Sequence, residues 1–293
     1  MMHTQAAGKA RLPLSPERVR RFFWHMLIYA VLLFVALISF FPFFTMLISS
    51  THDAFHITST VNLLPGDQFM RNYERMQQNK DIWRGFLNSF FLACASMSLC
   101  LYFASMTAYG FAKFSFKGRG PLFTVIMVTM MIPGQLGVIG FFREMQALKL
   151  TGTYWPLIIP SIANCFAVFF FKQYLDGGLP NELIEAALID GCRELPLFHR
   201  IVLPCMLPAL VTQGVMSFIG SWNSYLMPLL ILNKGSMLTL PVLLASVKTS
   251  AGTADYGAQY VGILISVAPL LVIFLLANKV IMEKIAIGAA IIG

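Results

Sequence analysis

The sequence predicts an all-α membrane protein built from six transmembrane helices. Of its 293 residues, 57% are hydrophobic and only 12% are charged, whereas soluble domains average about 45–50% apolar and about 25% charged residues. The apolar residues gather into runs that approach or exceed the roughly 20 residues that a helix needs to cross a bilayer. A bilayer admits only helices or closed barrels, and the runs lack the alternation of barrel strands, so they predict helices.

The six predicted spans follow one another along the chain. They cover residues 22–49, 86–112, 122–142, 154–171, 205–232 and 261–282. The first run is about twice as long as the apolar core of a signal peptide and is therefore predicted to remain as a helix. Prolines at 42, 133, 156, 160, 208, 228 and 269 lie in or beside the spans, where they free backbone carbonyls and permit bends.

Basic residues predict that both termini lie in the cytoplasm. Two clusters carry this prediction, namely Lys9, Arg11, Arg18, Arg20 and Arg21 before the first span and Lys113, Lys117 and Arg119 after the second. The positive-inside rule places both clusters on the cytoplasmic side. The chain then divides into a cytoplasmic tail (1–21), a first transmembrane helix with an outer loop (22–85), a core with five transmembrane helices (86–283) and a second cytoplasmic tail (284–293).

Several classes of function find no support in the sequence. No acidic residue lies inside a span, so a proton path is disfavoured, and no phosphate-binding GxxxxGK[ST] loop occurs, so any ATP must be used by a partner. The net charge of +8 is spread between the spans, which argues against nucleic acid as a partner. His52 and His56 have i, i+4 spacing with only Asp53 beside them, which favours a polar loop over a metal site. We predict neither an enzyme nor a metal centre.

The connection between the fourth and fifth spans, residues 176–204, predicts two short helices broken by a glycine. Pro180 suits a first helical position, Glu182 and Glu185 suit the opening turns, and Gly191 suits a left-handed cap. One face of the first helix is apolar, through Leu183, Ile184, Ala187 and Leu188. Helices that lie on membranes carry Lys and Arg on the polar face, whereas this one carries acids, which favours docking into a protein groove with basic walls.

The same connection resembles the EAA loop of bacterial binding-protein-dependent ABC importers. The motif is Glu185-Ala186-Ala187, then Gly191, then Ile201-x-Leu203-Pro204, and Ile189-Asp190-Gly191 is similar to the carbohydrate-type permeases. The likeness extends to Asn88-Ser89, to Ala108-Tyr109-Gly110-Phe111-Ala112-Lys113 and to Trp222-Asn223-x-Tyr225-x-x-Pro228. The arrangement resembles the six-span member of the maltose-type permease pair.

The resemblance implies a type I ABC importer permease fold in the bacterial inner membrane, without an ATPase site of its own. It implies a heterodimer with a second permease subunit, two ATPase subunits that hold ATP and Mg, and an extracellular solute-binding protein. The solute would be a sugar or oligosaccharide, and no cofactor is expected in this chain. Permeases of this type commonly end in Gly-Leu-Thr-x-Gly-Ala-Val-Lys-Gly, of which only Gly288-Ala289 clearly survives here.

The resemblance also implies two sets of functional residues. The set that would couple the chain to the ATPases is Glu185, Ala186, Ala187, Asp190, Gly191, Ile201, Leu203 and Pro204. Glu185 would pair with an arginine of the ATPase groove. For the solute path we predict Asn88, Trp222, Asn223 and Tyr225, because sugars need amide and hydroxyl partners and aromatic faces. Two alternatives stay open: an ATP-independent secondary transporter or channel, and a structural or sensory scaffold without solute flux.

Overall fold

The computed structural model describes residues 16–79, 81–248 and 252–292, with side chains as far as Lys279. Within these ranges the chain is helical, and its only β-type pairing is an isolated bridge between Lys248 and Ala254. Lys9 and Arg11 of the predicted amino-terminal cluster lie outside the described residues. The side chain of Ala289 in the tail does so as well.

The α-helices in chain order are α1 (Pro16–Ser49), α2 (Ala54–Ser59), α3 (Phe69–Asn79), α4 (Ile82–Lys113), α5 (Arg119–Met130), α6 (Val138–Ala147), α7 (Trp155–Ile158), α8 (Cys165–Gly178), α9 (Asn181–Ile189), α10 (Glu194–Leu197), α11 (Leu203–Cys205), α12 (Leu207–Trp222), α13 (Leu226–Ile231), α14 (Leu240–Ala245) and α15 (Tyr256–Ile292). Short 3-10 segments occupy Gly134–Gly137, Ile159–Ala163 and Gly235–Met237, and a π-helical turn occupies Phe198–Val202.

Four stretches of the described chain are long and apolar enough to cross a membrane as single spans. They are Arg20–Ser49, Ile82–Lys113, Trp155–Gly178 and Tyr256–Lys279. They correspond to the first, second, fourth and sixth predicted spans, and the fourth extends seven residues beyond its predicted end. Six crossings result when each of two strongly bent helix pairs counts as one span.

The third predicted span, over 122–142, is wrong as a continuous helix. Helix α5 ends at Met130, and the chain resumes at Gly134–Ala147 with a bend of 86°. Pro133, in an extended conformation, separates the two parts. A proline lacks the N–H for the helical hydrogen bond and its ring collides with the carbonyl four residues earlier, so a helix ends before it.

The fifth predicted span, over 205–232, is also interrupted. Helix α12 ends at Trp222, and α13 begins at Leu226. Pro228 is the third residue of α13, where its missing N–H costs little, so the break falls just before it. At its start α12 bends by 79° from the preceding segment Glu194–Cys205, and Pro208 is the second residue after that bend.

Helix α4 lies at the centre of the bundle and packs against α8, α12 and α14. Small side chains line much of its buried face, namely Gly85, Ser89, Ala93, Ser96, Cys100, Ala104, Ser105 and Ala108. Their spacing of three or four residues places them along one side of the helix. Small residues let helix backbones approach closely, which drives helix association in a membrane.

Two apolar cores lie along α4. The first surrounds the end of α4 that carries Lys113, and it contains Tyr109, Phe171 and Phe198; we call this the loop end, because residues 176–204 pack there. The second surrounds the opposite end and joins α3, α4, α12, α14 and α15, with Trp222 and Met76 among its buried members. Helix α1, by contrast, is exposed along most of its length and contacts α15 near its carboxyl end.

Helix α3 is fastened to the start of α15 by polar contacts. Arg75 Nε lies 2.9 Å from Asp255 Oδ2, and the Asp255 side chain is only 1% exposed. Asn72 Nδ2 donates to the carbonyls of Ser50 and His52, at 2.7 and 2.8 Å. A Cβ at Gly257 would lie 2.6 Å from the His52 carbonyl oxygen, so only glycine allows this approach. The segment between α1 and α4 is therefore joined to the end of the bundle opposite the loop end.

The Arg75–Asp255 pair provides a test of this joint. We expect Arg75→Ala to destabilise the protein by about 3 kcal/mol or more, because it leaves a buried carboxylate without its cation. Thermal melting of the purified transporter measures the loss. The double variant Arg75→Ala/Asp255→Asn should recover part of the melting temperature, since the uncompensated charge is then removed. Equal melting of the wild type and Arg75→Ala would contradict a stabilising pair.

Candidate functional site

The loop at residues 176–204 forms the two short helical segments that the sequence predicts. Helix α9 spans Asn181–Ile189, with Pro180 capping it from outside rather than occupying its first position. Gly191 has φ +80°, which confirms the left-handed cap. Its N–H donates to the Leu188 carbonyl, and the N–H of Cys192 donates to the Ala187 carbonyl, both at 3.0 Å. These two bonds form a Schellman motif that ends the helix sharply.

The second helical segment runs from Glu194 through the π-helical turn to Cys205. It is the second of the two short helices that the sequence predicts, and it begins at Glu194. Leu197, Phe198 and Val202 are buried in the loop-end core, and Ile201 and Leu203 pack partly against it. Pro204 is exposed. Residues 201–204 therefore anchor the loop in the loop-end core and lead into α12.

Helix α9 presents two different faces. Ile184 and Ala187 are buried in the loop-end core of this chain. The face turned away from that core is exposed and contains Glu182, Leu183, Glu185, Ala186, Leu188, Ile189 and Asp190. Of the two alanines in the predicted coupling set, Ala186 is exposed and Ala187 is buried, so only Ala186 is available to another protein. The apolar stripe that the sequence predicts is shared between the core, which takes Ile184 and Ala187, and the exposed face, which keeps Leu183 and Leu188.

The loop end of α4 contacts the start of α9 and the start of α10. Lys113 Nζ donates to the Leu179 carbonyl at 2.6 Å and to Asn181 Oδ1 at 2.9 Å, at the start of α9. Tyr109 donates to Glu194 Oε2 at 3.2 Å, just after its end. The sequence indicated Tyr109 through the resemblance, and Lys113 through the resemblance and the basic cluster after the second span; their role here follows from contacts across 66 to 85 positions of chain.

The four residues predicted for the solute path do not form one site. Asn88 donates to the carbonyls of Ser236 and Leu238, at 3.1 and 2.9 Å. Trp222 is 1% exposed, stacks on Phe218 with ring centroids 5.7 Å apart, and donates through Nε1 to the Ser266 carbonyl at 3.1 Å. Both side chains therefore have packing and bracing roles within the chain.

Asn223 and Tyr225 lie at the break between α12 and α13, and both are exposed. Trp222 and Asn223 line a cavity of about 340 Å³ against α14 and α15, and neither Asn88 nor Tyr225 lines it. The structure thus brings together two of the four predicted residues and separates the others.

A larger cavity, which the sequence interpretation missed, lies between α4, α6, the segment 155–164 and α12. Its volume is about 690 Å³, and Gln213, Ser217, Ser221 and Ser224 form one of its walls. The four-residue spacing of Gln213, Ser217 and Ser221 is a signal in the sequence that indicates one polar face on an otherwise apolar helix. We call this space the serine cavity.

The two histidines with i, i+4 spacing lie in the hydrogen-bonded segment formed by α2 and the turn before it. His52 Nε2 lies 2.9 Å from the Leu64 carbonyl. Asp53 caps α2 and accepts from the His56 backbone N–H at 2.8 Å, a bond that lowers the pKa of the Asp53 carboxyl. Among the described residues, no three histidine, cysteine or acidic side chains come together in an arrangement that could hold a metal ion.

Comparison with known proteins identifies the family. Residues 101–286 match the binding-protein-dependent transport system inner membrane component family. The arabinooligosaccharides transport system permease protein AraQ of Halalkalibacterium halodurans is 32% identical over 87% of this chain and 92% of its own length. The lactose transport system permease protein LacG of Rhizobium radiobacter is 31% identical over 84% and 89%.

A solved structure has the same fold. It is a bacterial ABC transporter involved in the import of the acidic polysaccharide alginate, and its matching chain aligns with a TM-score of 0.76 at 23% identity, over 89% of this chain and 97% of that one. The fold is therefore the type I importer permease fold, as predicted. The family match decides against both the ATP-independent transporter and the scaffold. This chain belongs to the binding-protein-dependent transport system inner membrane components and is a permease subunit of an ABC importer, without an ATPase site of its own.

Proposed function

We propose that this permease carries a carbohydrate across the bacterial inner membrane, and that α9 is where ATP hydrolysis on partner ATPase subunits drives it. The observation that carries the second part is the exposed face of α9. Three acids lie on it, namely Glu182, Glu185 and Asp190, and none forms an ion pair with any residue that the structure describes. These acids are available to a basic partner.

The acids surround apolar side chains that are also exposed. Leu183 and Leu188 are about two-fifths exposed, and Ile189 is 85% exposed. An amphipathic helix binds a protein groove through such anchors spaced three or four residues apart. Acids at the rim of the contact improve its electrostatic fit to a groove with basic walls. This face suits the groove of an ATPase subunit, with Glu185 opposite an arginine, Ala186 permitting close approach and Asp190 at the rim.

A coupling helix must also transmit movement to the membrane helices, and the hydrogen bonds between α4 and the residues around α9 are suited to this. Lys113 of α4 holds the start of α9, Tyr109 holds Glu194 at the start of α10, and Gly191 fixes the turn between α9 and α10. A short helix alone is marginally stable in water, whereas these contacts tie α9 and the turn after it to α4. Displacement of α9 by the ATPases would therefore act on α4 and α12 together.

The names of the relatives support a carbohydrate as the solute. AraQ is named for arabinooligosaccharides and LacG for lactose, and the two proteins match most of the length of this chain. We assign the delivery of the solute to an extracellular binding protein, which the name of the family implies. Asn223 and Tyr225 keep exposed side chains and stay candidate solute contacts, whereas Asn88 and Trp222 support the fold around them.

The orientation follows from the coupling role. If α9 meets the ATPases, the loop end faces the cytoplasm, and an even number of crossings places both termini there. A second permease subunit would complete the transport path, and ATP with Mg would bind only to the ATPase subunits. The departure of this chain from the common Gly-Ala-Val-Lys-Gly ending leaves α9 as the main contact that we propose with the ATPases.

Glu185→Lys tests the docking of α9. We expect ATPase subunits to bind the membrane complex at least about 30-fold more weakly, because breaking a close interfacial charge pair costs about 2 kcal/mol or more. Uptake should fall with binding. Co-purification of the ATPase subunits and uptake of labelled oligosaccharide by cells are the measurements. Glu74→Lys is the matched control, since Glu74 is an exposed acid of α3 at the opposite end; normal association in Glu185→Lys would refute the docking model.

Gly191→Asp tests the turn, and Gly191→Ala, which adds no charge, separates the effect of backbone strain from that of the new carboxylate. A residue other than glycine at φ +80° costs about 1–2 kcal/mol, and relief of that strain would shift the second helical segment against α9. We expect the protein to insert in the membrane at normal levels while uptake is lost. Membrane-fraction immunoblots and cell uptake measure the two effects, and normal uptake would show that the turn is not needed for coupling.

Lys113→Met tests the mounting of α9 on α4. It removes two hydrogen bonds from a charged donor, each worth about 1.5–3 kcal/mol, so α9 should stay able to bind the ATPases but transmit movement poorly. We expect more ATP to be hydrolysed for each solute molecule transported, with ATPase association close to normal. Lys117→Met is the matched control, because Lys117 is an exposed lysine that forms no hydrogen bond with the residues that the structure describes. An unchanged ratio in Lys113→Met would exclude this role.

A further inference from the structure

The serine cavity is bordered on one side by a row of polar side chains on α12. Gln213, Ser217 and Ser221 are four residues apart and so lie along one face of the helix, and Ser224 continues the row past its end. Ser161 and Asn164 line the cavity from the segment that leads into α8. Polar groups inside a membrane protein are costly unless they are paired or serve a path for solutes, so this concentration of polar side chains requires a reason.

Hydrogen bonds within the chain involve only some of the donors and acceptors of these polar side chains. Gln213, which is 4% exposed, donates to Ser217 Oγ, which in turn donates to the sulfur of Cys100, both at 3.4 Å. Asn164 accepts from the Ala167 N–H at 2.9 Å through Oδ1, which leaves its amide N–H groups for another acceptor.

Two hydroxyls of the row are not used at all. Serines in helices commonly bond back to a carbonyl three or four residues earlier, as Ser105 and Ser266 do here. The hydroxyls of Ser221 and Ser224 form no hydrogen bond with any residue that the structure describes, although both line the cavity. The wall therefore offers hydrogen-bond donors and acceptors to whatever enters.

The other side of α12 shows that this polarity is specific to one face. Val211, Gly214, Val215 and Phe218 line a second cavity, of about 810 Å³, against α15, and its lining residues are apolar apart from Cys94. The two cavities are similar in size and share one helix. Of these two cavities, the serine cavity has the lining that suits a hydroxylated solute, whereas the second suits lipid chains or packed side chains.

The lining of the serine cavity also restricts the charge of its occupant. None of the described residues around it is an aspartate, glutamate, lysine, arginine or histidine. A carboxylate or phosphate that enters a membrane-embedded space needs a cation or several strong donors to compensate for its lost hydration. Hydroxyl and amide groups instead match the hydroxyls of an uncharged sugar.

We propose that the row Gln213, Ser217, Ser221 and Ser224, with Ser161 and Asn164 opposite, is the wall of the solute path in this chain and that it admits neutral oligosaccharides rather than uronates or sugar phosphates. The inference rests on the proposed function, because it takes the chain to carry a carbohydrate. The proposed preference for neutral solutes differs from the named solute of the alginate transporter, which is acidic. The residues of this wall are not among those that the sequence resemblance indicated.

Thiol accessibility tests the path. The natural cysteines are replaced, and single cysteines are introduced as Ser217→Cys, Ser221→Cys and Ser224→Cys, with Val215→Cys as the matched control on the other face of α12. The assembled importer in proteoliposomes is treated with a charged methanethiosulfonate reagent. Thiolates form only where water reaches, so we expect the three serine positions to react at least about tenfold faster than Val215→Cys. Equal rates would overturn the assignment of this wall to the path.

Protection by sugars tests the charge preference. Maltotriose and arabinotriose, as neutral probes, and trigalacturonate, as an anionic probe, are added at equal concentration before the reagent. We expect at least one neutral trisaccharide to slow the labelling of Ser221→Cys and trigalacturonate to have no effect. Equal protection by trigalacturonate, or no protection by either neutral sugar, would overturn the preference for neutral solutes.

A third measurement distinguishes a blocked solute path from failed assembly and from lost coupling to the ATPases. Ser221→Leu should reduce uptake of labelled oligosaccharide while the importer assembles and keeps its basal ATPase activity, and Val215→Leu should leave uptake unchanged. Full uptake in Ser221→Leu would count against the path. Thiol labelling needs no ATP, so a failure of α9 docking in the Glu185→Lys experiment would leave the labelling result standing by itself, and the two failures can be told apart.

Discussion

The close packing of other helices against the small-residue face of α4 is the interaction on which the rest of the structure depends. In a bilayer the hydrophobic effect gives little reason for one apolar helix to prefer another to lipid, so association relies on close contact and a few hydrogen bonds. Gly85, Ala93, Ala104 and Ala108 provide that contact along most of α4. Helices α8, α12 and α14 reach the same helix, so both apolar cores and the serine cavity share α4 as a wall.

Two breaks in the helices border a polar space. Backbone groups that lose their helical partners must be satisfied within the protein or beside a polar space. The breaks near Pro133 and after Trp222 both lie beside the serine cavity, which Gly134, Gly137 and Ser224 line. The irregular segment through Asn164 lines it as well. The same prolines that interrupt the spans therefore help to open the space through which we infer that the solute passes.

The loop at residues 176–204 and the serine cavity are connected through two helices. Helix α4 holds α9 by Lys113 and Tyr109 at one end and contributes Ser96 and Cys100 to the cavity further along. Helix α12 begins directly after the EAA motif and carries the polar row. A displacement at the loop end would thus reach the cavity walls directly along α4 and, across the 79° bend before Leu207, along α12.

The sequence by itself determined the features that depend on local chemistry. Apolar length predicted the spans, Gly191 predicted the left-handed turn, and the acids of α9 predicted an exposed face, because each follows from the residues within a few turns of helix. Only the tertiary structure decided which polar side chains keep hydrogen-bonding groups that no other residue of the described chain occupies. Trp222 and Asn88 have side chains that suit sugars, but distant partners, the Ser266 and Leu238 carbonyls, occupy them. Ser221 and Ser224 have less distinctive side chains, yet the fold leaves their hydroxyls facing a cavity, and hydrogen-bond partners this far apart in the chain leave no trace in local sequence.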